Sequence, residues 1–239
     1  MIANVQNLVP TPRAALIAGS TGLTGRRLLD VLLECKDFAR VHALSRRPLP
    51  FDHPRLANRI LQMEAVEARL AGVSCEVAFC CLGTSLRVAG SHAALRHVDV
   101  DLVMSFATAA RQCGVQRFVV LSAAGATADS PNASLRHKGE LERALRGVGF
   151  PSLDILQPGP ILGLRAQPRG NEFASSLLLP LIAPLMIGWF AKHRPIAAHE
   201  LALAMLGAAR SQRRGTYVYS GHALRTLVRQ GEAAVRSAA

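Results

Sequence analysis

A doubly wound α/β sheet, its strands parallel and covered by helices on both faces, is the architecture this sequence predicts, and three observations predict it. Short apolar runs alternate with segments of helical period along most of the chain. The first run, Ala14 to Ala18, passes through Gly19-Ser20-Thr21-Gly22-Leu23-Thr24-Gly25 straight into an amphipathic segment. Half of the 239 residues are hydrophobic, ample for the core of one domain of ordinary size. Repeated strand–helix–strand units with right-handed crossovers give the doubly wound order. After Pro158 the alternation loses its regularity, and a small C-terminal portion is expected to build the substrate side. Residues 1–12, with Pro10 and Pro12, read as a flexible tail, which leaves 13–239 as a single domain.

Taken in order, strands are expected at 14–18, 41–45, 59–63, 76–82, 116–122, 152–157 and 215–220. Helices are expected at 22–35, 64–71, 92–113, 134–147, 170–178 and 197–210. In the first helix Leu28, Leu29, Leu32 and Leu33 share a face. In the long helix 92–113, Leu95, Val98, Leu102, Val103, Phe106 and Ala110 do the same, at the spacing of a helix with one buried side. The segment 177–190 carries no charge, is too short to span a bilayer and is interrupted by Pro180 and Pro184. It reads as buried or pocket-lining, in preference to a homodimer face or a membrane-surface contact.

The glycine segment carries the chemistry. Strand, tight turn and helix N-terminus in succession let the backbone approach an anion with no Cβ in the way, and the first helical turn offers unpaired N–H groups to a phosphate. This context predicts dinucleotide binding through Gly19, Ser20, Thr21, Gly22, Leu23, Thr24 and Gly25. About 20 residues further on, where such sites read the adenosine ribose, an Asp or Glu would accept from the 2′-hydroxyl. This chain has Ser45-Arg46-Arg47, two guanidiniums suited to a 2′-phosphate, so the expected cofactor is NADP rather than NAD.

Composition narrows the alternatives. The net charge is +12, yet only Lys36, Lys138 and Lys192 are lysines, the arginines are scattered, and one Trp and two Tyr leave little to stack on bases. This argues against a nucleic-acid partner. Cys35, Cys75, Cys80, Cys81 and Cys113 show no metal-ligand spacing, so no metal site is expected and the thiols read as reduced and buried. The N-terminus lacks the pattern of a secretory signal, and a cytoplasmic location is expected.

Gly19 to Gly25, Ser45-Arg46-Arg47, Cys80-Cys81-Leu82-Gly83-Thr84, Val98-Asp99, Leu121-Ser122, Lys138-Gly139-Glu140 and Pro158-Gly159 occur in that order. Together they resemble an atypical short-chain dehydrogenase/reductase, in the branch that includes the Tat-interacting tumour-suppressor oxidoreductase, over about residues 14 to 220. The resemblance implies a Rossmann fold and NADPH along the C-terminal edge of the sheet. It implies Leu82, Gly83 and Thr84 beside the adenosine half, Lys138 at the nicotinamide ribose, and Pro158 and Gly159 near the nicotinamide. Its chemistry uses a Tyr as proton donor, a Lys one helical turn later, and a Ser at the preceding strand end.

Lys138 fits, and Ser122 stands at a strand end, with Ala123 and Ala124 where a polarising Ser often lies. Four residues before Lys138, however, is Ser134, a poor proton donor and too short to reach where a phenol would. The only tyrosines are Tyr217 and Tyr219, far downstream. His137 points away from Lys138 on a helix and reads as a surface residue. Gln157 replaces the Arg that many relatives carry before Pro-Gly. The third strand ends Leu61-Gln62-Met63-Glu64 without the Asp that commonly reads the adenine amine. The expected cofactor site is intact and the expected catalytic set is Ser122, Ser134 and Lys138. Two functions follow: an NADP-dependent oxidoreductase on an unnamed carbonyl substrate, or a catalytically inactive NADPH-binding redox sensor or partner-docking protein.

Overall fold

Alternation of period two in each apolar run becomes the two faces of one sheet. In the computed structural model, which describes residues 13–163 and 194–237, the first strand is β1 (Arg13–Ala18), followed by helix α1 (Leu23–Glu34) and strands β2 (Phe38–Ser45) and β3 (Leu56–Ile60). A short helix α2 (Val66–Arg69) leads to β4 (Val77–Cys80). Two short helices, α3 (Leu86–Ala89) and α4 (His92–Arg96), then precede α5 (Leu102–Gln112) and β5 (Arg117–Leu121). Helix α6 (Ala133–Arg146) connects to β6 (Ser152–Leu156). The C-terminal part holds the two-residue strands β7 (Ile161–Leu162) and β8 (Ile196–Ala197), helix α7 (Ala198–Ala209), strand β9 (Gly215–Tyr219) and helix α8 (Gly221–Arg236).

Seven strands pair in the order β3-β2-β1-β4-β5-β6-β9, every pair parallel. The chain reverses its direction of travel across the sheet between β1 and β4. The carboxyl ends of strands at such a point flank the crevice where ligands bind in open α/β sheets. Side chains of alternate parity fill opposite layers, as the pleat requires. Ala15, Ile17, Val77, Phe79, Val119 and Leu121 face α1, α7 and α8. Leu16, Ala18, Ala78, Cys80, Phe118 and Val120 face α2, α5 and α6.

Helix α7 is buried on nearly all sides, from Leu201 through Ala209, because it lies between the sheet and α8. The two helices touch backbone to backbone. A Cβ on Gly207 would stand 2.2 Å from the Leu227 carbonyl oxygen, and one on Gly231 would stand 2.1 Å from that of Leu203. On this same side of the sheet a polar network is buried. The Arg117 guanidinium pairs with Asp154, donates to Ser152 Oγ at 3.1 Å and to the Ala208 carbonyl at 3.3 Å, while the Tyr219 hydroxyl donates to Asp154 Oδ1 at 2.9 Å.

The structure departs from the sequence expectations in three places. The third strand lies at 56–60 rather than 59–63, because its pairing with β2 starts at Val41–Leu56 and the chain turns into a 3-10 turn at Met63–Ala65. As an edge strand with partly covered residues it lacks the apolar alternation that would fix its position. The helix expected over 92–113 is interrupted by a π-helical turn, His97–Asp101. Helix α8 was not expected, although Leu224, Leu227, Val228 and Gly231 form a buried stripe of helical spacing. The helix expected at 170–178, the apolar segment 177–190 and the tail 1–12 lie outside the described residues. Among the described residues no helix is long and apolar enough to cross a membrane.

Candidate functional site

The glycine turn sits at the carboxyl end of β1, against β4. Gly19 adopts φ +82°, and a Cβ there would lie 2.7 Å from the Cys81 carbonyl carbon, so glycine is required both by conformation and by space. Gly25, in the first turn of α1, has the opposite task. A Cβ at 25 would lie 2.0 Å from the Gly19 carbonyl oxygen, and its absence lets α1 press against the turn. The Gly22 N–H donates to the Gly19 carbonyl at 3.0 Å and closes the turn. Helix α1 starts at Gly22 with no side-chain cap and no acidic residue in its first turn. Its leading N–H groups therefore face outward with no internal acceptor, the arrangement that binds phosphate. Ser20 is buried and its hydroxyl reaches the Leu44 carbonyl at 3.3 Å, tying the turn to the end of β2. Thr21 is exposed, while Thr24 is buried with the helix.

At that strand end Ser45 is buried, and Arg46 and Arg47 are exposed. Asn58 on β3 shapes the turn. Its amide donates to Ser45 Oγ at 2.6 Å and to the Ala43 carbonyl at 3.2 Å, and its oxygen accepts the Leu49 N–H at 2.9 Å. The Ser45 hydroxyl in turn donates to the Arg47 carbonyl at 2.7 Å. Among the described residues no carboxylate forms an ion pair with Arg46 or Arg47. Asn58 carried no signal in the sequence, because its part is set by pairing across strands.

The third component forms where β4 and β5 end. The loop Leu82-Gly83-Thr84 leaves β4, and the Thr84 N–H donates to Asp99 Oδ1 at 2.9 Å. Lys138 of α6 places its ammonium 3.7 Å from the same oxygen. A Cβ on Gly83 would lie 3.5 Å from both of these groups, so the bare backbone of Gly83 lies against the pair. The π-helical turn brings Asp99 here, fully buried; such turns often mark functional positions. Asp99 Oδ2 has no hydrogen-bond partner. A buried carboxylate oxygen without a donor is costly and points to an acceptor site for a hydroxyl. Leu82 to Thr84 and Lys138, assigned by the resemblance to opposite halves of a cofactor, are thus direct neighbours.

Ser122 follows β5 with its N–H held by the Leu156 carbonyl at 2.8 Å, and the Ala124 N–H donates to the Pro158 carbonyl at 2.8 Å. These two bonds bring Pro158-Gly159 alongside Ser122. The Ser122 hydroxyl donates to Glu142 Oε1, and the Gln157 amide donates to both oxygens of Glu142, at 2.9 and 3.1 Å. Glu142 is buried, one helical turn beyond Lys138. It has no counterpart among the residues singled out from the sequence. A Glu on a helix is ordinarily a solvated residue, and only the packing of α6 on β5 and β6 shows otherwise.

Ser134 stands in the first turn of α6, behind the Asn132 cap, which accepts the N–H groups of Ser134 and Leu135. His137 corrects the sequence reading. It is 6% exposed, with Nδ1 unpartnered, because α6 is covered on that side as well. Neither tyrosine joins this cluster, since Tyr217 donates to the Arg214 carbonyl and Tyr219 belongs to the Asp154 network. Beside Gly159 a cavity of about 330 Å³ opens, lined among others by Ile196, Leu224, Arg225 and Val228. Among the described residues no group of three or more His, Cys, Asp or Glu could hold a metal ion.

Residues 19–148, from the glycine turn to the end of α6, match the family model described as NAD(P)H-binding. The chain belongs to the NAD(P)H-binding family. It is 32% identical over 171 residues to Protein FMP52, mitochondrial, of Saccharomyces cerevisiae, covering 70% of this chain and 73% of that one. It is 33% identical over 165 residues to Protein HTATIP2 of Rattus norvegicus, covering 67% and 68%. The resemblance to atypical short-chain dehydrogenases/reductases therefore holds. Among solved structures, MoeE5 in complex with UDP-glucose and NAD superposes with a TM-score of 0.64 at 18% identity, over 90% of this chain and 80% of that one. A UDP-N-acetylglucosamine 4-epimerase from Methanobrevibacter ruminantium superposes at 0.66 and 15%, over 88% and 77%. At these identities the likeness is one of fold. The expected cytoplasmic location is overturned, because fungal members of the family are named as mitochondrial. Reduced thiols and the lack of a secretory pattern are common to several compartments and did not discriminate between them.

Proposed function

We propose that the protein binds NADPH and works as an oxidoreductase on a small carbonyl compound, as a single domain. The observation that carries this reading is the Lys138–Asp99 pair against the Gly83-Thr84 backbone, on the same sheet edge as the uncapped start of α1. The residues present fit a dinucleotide. A Cβ at Gly19 or Gly25 would strike the backbone of Cys81 or of Gly19 and force the turn and the start of α1 apart, and the orphaned Asp99 Oδ2 awaits a hydroxyl donor. When bound, the cofactor supplies a hydride. The chain's residues take the remaining tasks. Gly19, Ser20, Thr21, Gly22, Leu23, Thr24 and Gly25 hold the diphosphate, and Ser45, Arg46 and Arg47 hold the adenosine ribose. Leu82, Gly83, Thr84 and Lys138 hold the ribose on the nicotinamide side. Ser122 faces the reacting oxygen, with Pro158 and Gly159 along the nicotinamide and Ser134 near the substrate. The cavity beside Gly159 supports a substrate side built by the C-terminal portion.

NADP is favoured over NAD because Arg46 and Arg47 are exposed at the ribose end with no carboxylate paired to them among the described residues. A charge-assisted contact to phosphate is worth about 1.5–3 kcal/mol, so Arg46→Glu is expected to weaken NADPH binding at least tenfold, as about 1.4 kcal/mol is a factor of ten. Calorimetric titration with NADPH and NADH checks this, and equal affinities for the two would overturn the preference.

A second reading, a catalytically inactive NADPH-binding sensor or partner-docking protein, is supported by the placement of both tyrosines on β9, engaged elsewhere. The two readings separate on a panel of aldehydes, ketones and quinones. Loss of reduced-nicotinamide absorbance supports the oxidoreductase, and tight NADPH binding without turnover supports the sensor.

A further inference from the structure

We propose that Glu142 is the proton acceptor behind Ser122, the two side chains forming the proton path of this site in place of a tyrosine; this rests on the oxidoreductase reading. Ser122 and Glu142 are 8% and 6% exposed, and the serine hydroxyl is given to the carboxylate. Among the described residues the carboxylate's other donor is the neutral amide of Gln157, whose own backbone N–H is fixed on the Tyr219 carbonyl at 2.8 Å. The cations one helical turn on either side of Glu142 are committed elsewhere. Lys138 faces Asp99, and Arg146 donates to the backbone carbonyl of Glu142 at 2.6 Å. Among the described residues, the hydrogen bonds that the Glu142 carboxylate accepts thus come from neutral groups alone, and one of them is a hydroxyl at the end of β5, beside Pro158-Gly159.

This arrangement balances the reaction. In the oxidising direction, the alcohol O–H proton passes to Ser122 Oγ while the Ser122 proton passes to Glu142. The C–H bond breaks, its electron pair leaves with the hydrogen as hydride to the oxidised nicotinamide, and the carbonyl double bond forms. Glu142 ends as the neutral acid and later returns its proton to water. Reduction runs the same steps backwards, with Glu142 supplying the proton that Ser122 gives to the oxygen. Ser122 touches the reacting atom, and Glu142 acts through it.

The test compares the full-length wild type with Glu142→Gln, Ser122→Ala and the double variant. Phenanthrenequinone and 4-nitrobenzaldehyde serve as probes with NADPH. Removing a general acid–base typically lowers rate 10²–10⁴-fold, so kcat is expected to fall about a hundredfold or more in each single variant and no further in the double. KM and NADPH affinity should stay within about twofold, a split that a merely structural role would not give. Independently of turnover, proton NMR of the wild type should show a slowly exchanging downfield hydroxyl resonance that shifts on adding NADP and is absent from both single variants. If Glu142→Gln does not fold, Ser122→Ala leaves Glu142 and Gln157 in place and tests the same path. Wild-type kcat in the variants, or a resonance indifferent to NADP, overturns the proton path and leaves the oxidoreductase reading standing. NADPH binding with no turnover of either probe by the wild type overturns both.

Discussion

Gly25→Ala is the substitution that most directly probes the phosphate cradle proposed for this turn. The new methyl would lie 2.0 Å from the Gly19 carbonyl oxygen, 2.7 Å from the Gly19 carbonyl carbon and 3.2 Å from Ser20 Cα, all of them backbone atoms. Ordinary contact begins near 3.4 Å, so the start of α1 must retreat by about 1.4 Å from the turn, a distance set by normal packing. A charge-assisted N–H···O bond of about 2.8 Å stretched by that amount is broken. Each such bond contributes about 1.5–3 kcal/mol. Losing even one or two N–H contacts to the diphosphate is therefore expected to weaken NADPH about a hundredfold, at ~1.4 kcal/mol per factor of ten. The assay is calorimetric titration of the folded variant, with thermal melting without cofactor run alongside. Gly207→Ala is the control, since its methyl would meet the Leu227 carbonyl oxygen at 2.2 Å, between α7 and α8 and on no part of the cradle. It should lower the melting temperature and leave NADPH affinity unchanged. Gly25→Ala protein that binds NADPH within about threefold of the wild type would refute the assignment of the cradle to this turn.

Other outcomes follow from the buried groups. Arg117→Ala leaves the Asp154 carboxylate buried without its cation and should destabilise the fold by about 3–5 kcal/mol in urea titration, with cofactor affinity of the folded protein retained. Burial, and behind it the neighbouring Asp154 charge, pushes the Tyr219 phenol from 10 up to about 12. The folded state therefore holds that proton more tightly than the unfolded chain. Stability is fully present below pH 10 and is lost as pH rises through about 12, by up to about 3 kcal/mol, a loss that Tyr219→Phe removes. Burial likewise raises all five thiols, Cys80 to about 11 and Cys75 to about 12. Iodoacetamide at neutral pH should leave the native cysteines unmodified and label them only in denaturant, as mass spectrometry would show.

What the sequence determined by itself was local: the strand, turn and helix around Gly19 to Gly25, the basic pair after β2, Lys138 on its helix, and the alternation that makes a parallel sheet. Each is legible because its cause lies within a few residues, in backbone freedom, periodicity or charge. Helix α8 belongs to the same class, since Leu224, Leu227, Val228 and Gly231 announce it, although strand–helix alternation alone gave no reason to extend the fold beyond β9. Tertiary structure decided the rest. The strand order places β1 beside β4, and so sets Gly19 against Cys81. A π-helical turn inside an otherwise regular helical pattern carries Asp99 to Lys138. The packing of α6 on β5 and β6 turns Glu142 from a plausible surface residue into the partner of Ser122. Asn58 and Gln157 gain their roles across strands in the same way. A side chain's environment depends on which distant segments the crossovers bring alongside it. Period and composition report a residue's own element, and only the assembled sheet reports what that element meets.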